Sequence, residues 1–249
     1  MKERPILFSG AMVCAILRNE DPKTETRRLN QLKAINQSPD SYTLIHTSIE
    51  MKRNGDIVTI AKFQHKSSGE IVYVPCPHGK PQDRLWVKET FWVEQDSEWD
   101  EWSHKTYYSS IDLKTDNWAD VKYVATNPDF SGHDGISTLY EKRPSIFMPR
   151  WASRITLEIT DIRVERLQSI SEEDAIAEGL TALSKDGQTV KYGIPDRDGL
   201  PGDDDYGWHW SRWCIDPCKA YQHLWDSING KTYPWERDPW VWVVQFKRV

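Results

Sequence analysis

The stretch Arg154–Leu167, which reads RITLEITDIRVERL, decides the fold class. Its apolar residues occupy alternate positions as far as Ile159, as in a β-strand that buries one face. The alternation then shifts by one residue at Asp161, and Ile162 begins a new phase. Because a one-residue slip turns the apolar side chains to the opposite face, the pattern predicts a β-bulge or a sharp bend at this point.

A second strong strand lies at Trp240–Phe246. Trp242 and Val244 share one of its faces, while Val241 and Val243 share the other. A strand that is apolar on both faces is covered by protein on both sides. We therefore expect Trp240–Phe246 to be a central strand of a β-barrel rather than a frayed terminus.

Three short helices accompany the strands. Gly10–Arg18 and Pro217–Ile228 carry apolar residues at helical spacing. The remaining helix lies between these two in the chain. It begins at Ser171, a typical N-cap residue, and ends at Gly179, a typical residue after a helix C-terminus. This arrangement places Glu178 at the end of this helix. Many strands with a few short helices predict an α+β fold.

We expect one domain over residues 1–249, extended by three insertions at about 33–75, 94–140 and 181–213. The first insertion contains an Asn-Gly turn within Arg53–Asp56, which predicts a β-hairpin. The third insertion is rich in Gly, Asp and Trp, which is typical of a long excursion or a lid rather than of a core.

The composition indicates a globular chain, since 38% of the 249 residues are hydrophobic and 28% are charged. The net charge of −6 argues against non-specific coating of duplex DNA, which needs a broad cationic face. It leaves a local basic pocket open. The four cysteines fit a reducing compartment better than a disulfide scaffold. We see no signal peptide and no apolar run long enough to span a membrane, so we expect a cytoplasmic protein of unknown oligomeric state.

Several blocks of the chain resemble the ASCH superfamily. Lys23–Arg28 (KTETRR) resembles the signature of that family, a helix followed by a Lys-Thr-x-Thr-x-Arg strand, and Asp83–Thr90 resembles its second block. The strand and helix that end at Glu178, and the closing strand Val241–Lys247, occur in the expected order. The run Arg143–Arg154 is similar to a set of bacteriophage and prophage ASCH proteins.

The resemblance implies a PUA-like mixed β-barrel with short flanking helices and a cleft suited to RNA or a modified nucleoside. The family's small enzymes are amidohydrolases that remove the acyl group from N(4)-acetylcytidine. Their essential lysine, threonine and glutamate match Lys23, Thr26 and Glu178 by motif position. The resemblance thus implies that these three residues form a catalytic site.

Amide hydrolysis needs a nucleophile or a positioned water, a proton shuttle and a group that stabilises the oxyanion. A lysine in a partly apolar pocket loses some preference for its charged form, so Lys23 can act as a base towards the Thr26 hydroxyl. Glu178 would orient Lys23 or pass a proton to the leaving amine. Lys23 and Thr26 are three residues apart in an extended segment, so their side chains enter one cleft only if the chain bends after Pro22. The alternative is a structural ion pair between Lys23 and Glu178, with Thr26 as an ordinary strand residue.

Basic and aromatic residues on or next to the expected strands indicate a nucleic-acid-binding rim. Guanidinium and ammonium groups would hold phosphates, and indole rings would stack on bases. The residues assigned to this rim are Arg27, Arg28, Arg84, Trp86, Lys88, Arg150, Trp151 and Arg154. For each basic residue taken alone, the alternative is a solvated strand face that pairs with the acidic excess.

No metal or cofactor is predicted. Cys76, His78, Cys214 and Cys218 would together supply four zinc ligands, but neither spacing is of the usual C-x2-C type. The chain contains no phosphate-binding glycine loop, no Gly-x-Ser-x-Gly elbow and no His-Glu-x-x-His motif.

Two classes of function remain open at this point. The first is an amidohydrolase acting on an acylated, cytosine-like base, favoured by the joint presence of Lys23, Thr26 and Glu178. The second is a non-catalytic module that binds RNA or a modified base, favoured by the tryptophan-rich insertion at 181–213. A ribonuclease that uses the arginine-rich rim is a weaker third interpretation.

Overall fold

A computed structural model of the chain describes residues 1–127, 129–133 and 138–249. These residues form three α-helices and fifteen β-strands, so the α+β class predicted from the sequence is confirmed. The helices are α1 (Gly10–Leu17), α2 (Glu172–Ala177) and α3 (Pro217–Asn229). The strands are β1 (Glu3–Leu7), β2 (Glu25–Arg28), β3 (Tyr42–Met51), β4 (Ile57–His65), β5 (Ile71–Pro75), β6 (Arg84–Lys88), β7 (Phe91–Glu94), β8 (Asp96–Asp100), β9 (Lys105–Ser109), β10 (Val121–Tyr123), β11 (Tyr140–Arg143), β12 (Thr156–Arg166), β13 (Thr181–Leu183), β14 (Lys191–Gly193) and β15 (Trp240–Arg248).

The chain divides into two compact units. The first unit comprises Met1–Arg4, Ala15–Leu85 and Leu157–Val249, and the second comprises Pro5–Cys14 and Trp86–Thr156. The prediction of a single domain with three insertions stays a prediction. Positions 128 and 134–137 of the second predicted insertion lie outside the described residues.

The largest sheet has five strands in the order β1, β6, β12, β15, β2. Strands β12 and β15 pair in antiparallel fashion, and their register shifts between Ile159 and Asp161. The bulge predicted from the slip in hydrophobic phase is therefore confirmed at the predicted residues. Strand β15 pairs with both β12 and β2, so its central position is also confirmed.

Strand β1 lies at the edge of this sheet and includes Pro5. The strand begins at Glu3, two residues before the proline. An edge strand tolerates proline because its missing N–H can lie on the unpaired side. Proline thus marks an edge here rather than a strand boundary.

The other sheets are smaller. The first unit contains a three-stranded sheet, β3-β4-β5, and a hairpin, β13-β14. The turn predicted within Arg53–Asp56 joins β3 to β4, and the N–H of Lys52 donates to the carbonyl of Asp56 at 2.7 Å. The second unit contains the sheets β10-β7-β11 and β8-β9, and its core includes Phe91, Val93 and Met148. Each sheet of the described residues has two edge strands, and closure into a PUA-like barrel stays a prediction.

Helix α2 has the predicted ends. The hydroxyl of Ser171 accepts a hydrogen bond from the N–H of Asp174 at 3.1 Å, as an N-cap does. Helix α3 begins with Asp216 as its N-cap and Pro217 in its first turn, and it buries Tyr221 among other residues. Throughout the described ranges, no helix is both long and apolar enough to cross a membrane.

Candidate functional site

Lys23 and Glu178 form a buried ion pair in the first unit. The ammonium Nζ of Lys23 donates to carboxylate Oε2 of Glu178 at 2.7 Å and to the backbone carbonyl of the same residue at 2.5 Å. The two side chains are 1% and 4% exposed. The ammonium group therefore points at the carboxylate predicted to be its partner and not at bulk water.

Backbone contacts hold Lys23 in place. Its N–H donates to the carbonyl of Ala15 in α1 at 3.0 Å, and the N–H of Thr24 donates to the carbonyl of Ala177 in α2 at 3.0 Å. Asp21 has a φ of +46°, and β2 begins only at Glu25. Lys23 lies outside the strand, so the direction of its side chain is not set by the alternation of faces along β2. The segment between α1 and β2 thus departs from strand geometry where the sequence analysis requires a bend.

Gly179 permits the close approach of Glu178 and Lys23. Its φ is +105°, a conformation that favours glycine. A Cβ atom at this position would lie 3.0 Å from Cβ of Ala15 and 3.4 Å from both Cβ and Cδ of Lys23. The glycine that ends α2 is therefore also required for packing around Lys23.

Arg27 and Tyr221 bind the second oxygen of the same carboxylate. Oε1 of Glu178 accepts from Arg27 at 3.3 Å and from the Tyr221 hydroxyl at 3.3 Å. Arg27 also donates to Glu25 at 2.6 Å, to Glu165 at 2.6 Å and to Asp174 at 3.1 Å. One guanidinium group therefore links β2, β12 and both ends of α2.

Arg163 completes this arrangement. It donates to Asp174 at 2.6 Å and to Glu25 and Glu165 at 3.2 Å. The amide of Gln245 in β15 donates to Glu25 at 2.9 Å. We call the six charged residues the carboxylate–arginine cluster; they are Glu25, Arg27, Arg163, Glu165, Asp174 and Glu178.

The sequence did not identify five members of the site, which are Glu25, Arg163, Glu165, Asp174 and Tyr221. A signal was present for two of them, because Arg163 and Glu165 alternate with apolar residues in β12 and must share the face opposite to the core. Tyr221 gave no such signal, since an aromatic residue on the apolar face of a helix is normally core.

Burial changes the protonation chemistry of the site. It lowers the pKa of Lys23, although the neighbouring Glu178 carboxylate acts in the opposite direction. Burial also raises the pKa of Glu25, and it raises the pKa of Tyr221 well above its usual value. For Arg27, burial alone would lower the pKa, but the carboxylates around it outweigh burial and raise it. Arg27 and Tyr221 thus act as fixed donors, while Lys23 is shifted towards its neutral form.

Thr26 and Arg28 lie on the other face of β2. Thr26 pairs with Val244 and Arg28 pairs with Trp242 across the sheet, and directly paired residues share a face. Thr26 is 4% exposed. The structure therefore brings Lys23 and Glu178 together and places Thr26 beside Arg28, on the face opposite to Arg27.

Arg27 and Arg154, both assigned to the nucleic-acid-binding rim, engage carboxylates. The side chain of Arg27 is 0% exposed, so it offers no surface to a nucleic acid in this conformation. In the second unit, Arg154 makes a two-pronged contact with Glu89 at 2.9 and 3.0 Å, and its guanidinium carbon lies 4.0 Å from the centre of the Tyr123 ring.

The other rim residues are half-buried or exposed. Lys88 donates to the carbonyl of Ile146 and lies 5.5 Å from the centre of the Trp86 ring. The indole N–H of Trp151 donates to a backbone carbonyl at 3.0 Å, and Arg150 is exposed and donates to a threonine hydroxyl at 3.3 Å. Arg84, at the start of β6 in the first unit, is half-buried. Nucleic-acid binding by the rim residues stays a prediction.

The four residues considered as zinc ligands have separate surroundings. Burial raises the pKa of the Cys76 thiol to about 12, which disfavours a thiolate. The Cys214 sulfur lies 3.7 Å from Nδ1 of His223, and the Cys218 thiol lies 3.7 Å from a backbone carbonyl. In the ranges of the chain that the structure describes, no group of three or more His, Cys, Asp or Glu residues is arranged to hold a metal ion.

The site as a whole offers a base and a carboxylate. Lys23 can take up a proton, Glu178 is fixed by donors on both of its oxygens, and the buried Thr26 is part of the adjacent strand. Comparison with protein-family models, with curated proteins and with solved structures finds no match to the chain.

Proposed function

We propose that the chain is an ASCH-type protein with a PUA-like fold, and that it acts on nucleosides or nucleic acid as an amidohydrolase. The substrate would be an acylated, cytosine-like base. The observation that carries this proposal is the Lys23–Glu178 pair, which is almost fully buried and joins two residues 155 positions apart. Burial of the pair lowers the pKa of Lys23 against the opposing effect of Glu178, and shifted pKa values of this kind are common in catalytic sites.

The proposed reaction assigns one role to each group. In its neutral form, Lys23 removes a proton from the attacking hydroxyl group, which belongs to water or to Thr26. The oxygen bonds to the acyl carbon, the C–N bond breaks, and the exocyclic nitrogen takes a proton by way of Glu178 and Lys23. Water then completes the release of the carboxylic acid if Thr26 has been acylated.

Arg27 and Tyr221 support this assignment as positioning residues. Both donate to Oε1 of Glu178, which leaves Oε2 directed at Lys23. A carboxylate held on both oxygens keeps the ammonium group in one orientation. This matters because general base catalysis requires hydrogen-bond distance to the proton that is transferred.

A non-catalytic binding module is the second candidate. It is favoured by the balance of charge at the site, where each charged group has an opposite charge as its neighbour. Such a cluster can have a purely structural role, in which it fixes α2 on the sheet. The same cleft would then bind RNA or a modified base without changing it.

The decisive experiment follows the release of cytidine from N(4)-acetylcytidine by the purified protein. We expect Lys23→Met and Glu178→Gln to lower kcat by a factor of about 100 to 10,000, the usual contribution of general acid–base catalysis. Lys23→Arg keeps a positive charge but removes the base, so it should lose turnover as well. Thr26→Val should lose turnover only if the Thr26 hydroxyl is the nucleophile.

Asn36→Ala is the matched control. Asn36 is 1% exposed and hydrogen-bonds the backbone N–H and carbonyl of Trp240, both at 2.8 Å. Its loss should lower stability without lowering turnover at a temperature where the variant is folded. Full activity in Lys23→Arg would exclude lysine as the base. Absence of turnover together with tight RNA binding would establish the binding module, and RNA cleavage that survives all variants would locate the activity elsewhere.

A further inference from the structure

His78 is a buried residue of the first unit that the proposed chemistry leaves without a role. It is 7% exposed and lies in the loop between β5 and β6. Two backbone hydrogen bonds join this loop to β4. The N–H of Cys76 donates to the carbonyl of Thr59 at 2.7 Å, and the N–H of Thr59 donates to the carbonyl of Gly79 at 2.9 Å. Gly79 has a φ of +111°, and a Cβ there would meet Arg4 at 2.4 Å. The loop that carries the imidazole is therefore bonded to β4 and packed closely against Arg4.

The imidazole has an unsatisfied nitrogen. Nε2 of His78 is buried and has no hydrogen-bond partner among the described residues. Leaving a buried polar group unpaired is unfavourable, and most such groups in folded proteins have partners. A ligand atom placed at this nitrogen would supply the missing hydrogen bond.

His78 belongs to the surroundings of the Lys23–Glu178 pair. Burial, followed by the charges of Arg28 and Arg4, lowers the pKa of His78 to about 3. Arg28 also acts on Lys23, and Glu178 acts on Arg28. Since such effects require proximity, Arg28 connects His78 to the ion pair.

Trp242 adds a second unsatisfied donor beside Arg28. It pairs directly with Arg28 across the sheet, so the two side chains share a face. Its indole Nε1 is buried, and the described part of the chain supplies no acceptor for it. Two buried polar atoms thus lack partners among the described residues, one on a side chain that shares a face with Arg28 and one on a side chain whose pKa Arg28 lowers.

The charge balance indicates what kind of ligand fits. The cations Lys23 and Arg28, added to the two arginines of the carboxylate–arginine cluster, number four, and the cluster contributes four carboxylates. The charges of these eight groups balance, so the groups do not favour a charged ligand. A neutral imidazole and an indole N–H each offer one hydrogen bond. These groups suit an uncharged ring with polar atoms on its edge.

We propose that His78, assisted by Trp242, is a ligand-recognition residue of the Lys23–Glu178 site and that its ligand is an uncharged planar ring such as a pyrimidine base. The proposal rests on the proposed function only for the location of the reacting group. Binding of the ring and hydrolysis of an acyl group on it are separate events that separate measurements can detect.

The test is titration of the whole protein with cytidine, followed by calorimetry and by the side-chain ¹⁵N resonances of histidine. The His78 resonance is assigned by its loss in His78→Phe. We expect cytidine to shift this resonance, and we expect His78→Phe to weaken cytidine binding about tenfold, the usual effect of one hydrogen bond to a neutral group. His78→Gln places a polar nitrogen near the same point and should restore part of the affinity.

His65→Phe is the matched control, because His65 lies in β4 and packs edge-on against Tyr42 with the ring centres 5.0 Å apart. It should bind cytidine as the unmodified protein does. Cytidine binding that leaves the His78 resonance unmoved, or an absence of cytidine binding, overturns the proposal. A resonance shift caused by acetate or inorganic phosphate but not by cytidine does so as well, since it identifies an anion site.

The proposed function and the recognition role can fail separately. Cytidine binding that depends on His78, without release of cytidine from N(4)-acetylcytidine, supports the recognition role and refutes the amidohydrolase. Turnover with the same KM in His78→Phe supports the amidohydrolase and refutes the recognition role.

Discussion

A double-mutant cycle on Lys23 and Glu178 measures the ion pair at the centre of the site. Removing one partner of a buried pair costs about 3–5 kcal/mol because the other charge stays buried. Lys23→Met should lie near the lower value, since Glu178 keeps Arg27 and Tyr221 as donors at 3.3 Å. Glu178→Gln should lie near the higher value, because it leaves the ammonium group without its buried carboxylate.

The double variant Lys23→Met/Glu178→Gln removes both charges. We expect it to cost about 5 kcal/mol rather than the sum of about 8, which corresponds to a coupling of about 3 kcal/mol. For a chain of this length, Lys23→Met alone should lower Tm by roughly 6–12 °C. The assay is urea unfolding of the four proteins at pH 7, with thermal unfolding as a second measurement.

Two results would refute the reasoning. A coupling below about 0.5 kcal/mol is the value expected of sites that do not interact. A loss of less than about 1 kcal/mol in Lys23→Met is the value of an exposed ion pair and would mean that the ammonium group is hydrated. Either result would remove the basis for a shifted lysine in this site.

Three further perturbations test the surroundings of the pair. Gly179→Ala should cost at least about 1 kcal/mol more than Gly187→Ala in urea unfolding, because both have a positive φ but only Gly179 is packed against other atoms; equal costs would contradict this. The pKa of His78 is near 6.5 in the unfolded chain and about 3 in the folded protein, so the unfolded chain binds the proton first as the pH falls. The free energy of unfolding should therefore decrease by about 1.4 kcal/mol for each pH unit lost between these two values. His78→Phe should lose that part of the acid sensitivity, about 3 kcal/mol at pH 4, and an unchanged pH profile would be inconsistent with a neutral buried imidazole. Ser171→Ala should cost about 1 kcal/mol through loss of the N-cap, and no change in the urea midpoint would contradict the observed cap.

The elements that the sequence predicted correctly are those set by local pattern. The shift in hydrophobic phase located the bulge at Ile159–Asp161, and the two apolar faces of Trp240–Phe246 located a central strand. Ser171 and Gly179 marked the ends of α2, because capping depends on neighbours in the chain.

The prediction of the Lys23–Glu178 contact had a different basis. Nothing local links residues 155 positions apart, and the expectation came from the resemblance to a family. The remaining members of the carboxylate–arginine cluster were missed for the same reason. Their charges are compensated by residues from β2, β12 and α2, and such compensation depends on the tertiary structure rather than on any one segment.

The burial of His78 could not be predicted from the sequence either. A histidine in a proline-rich loop is normally exposed and titrates near pH 6.5. Here it is buried in a loop that is bonded to β4, and burial, together with the charges of Arg28 and Arg4, lowers its pKa to about 3. No pattern within the loop itself encodes those neighbours.

The position of β2 has a consequence for when the site can form during synthesis. In the five-stranded sheet, the strand that carries Thr26, Arg27 and Arg28 is at the edge, and β15 is its partner. Helix α2 has six residues, too few to persist alone, and it is fastened by Arg27 at both ends. Strand β15 must therefore be synthesised before β2 can pair and before Arg27 can reach Glu178. Shortened products that lack β15 should leave the carboxylate–arginine cluster unassembled, whatever else in them has folded.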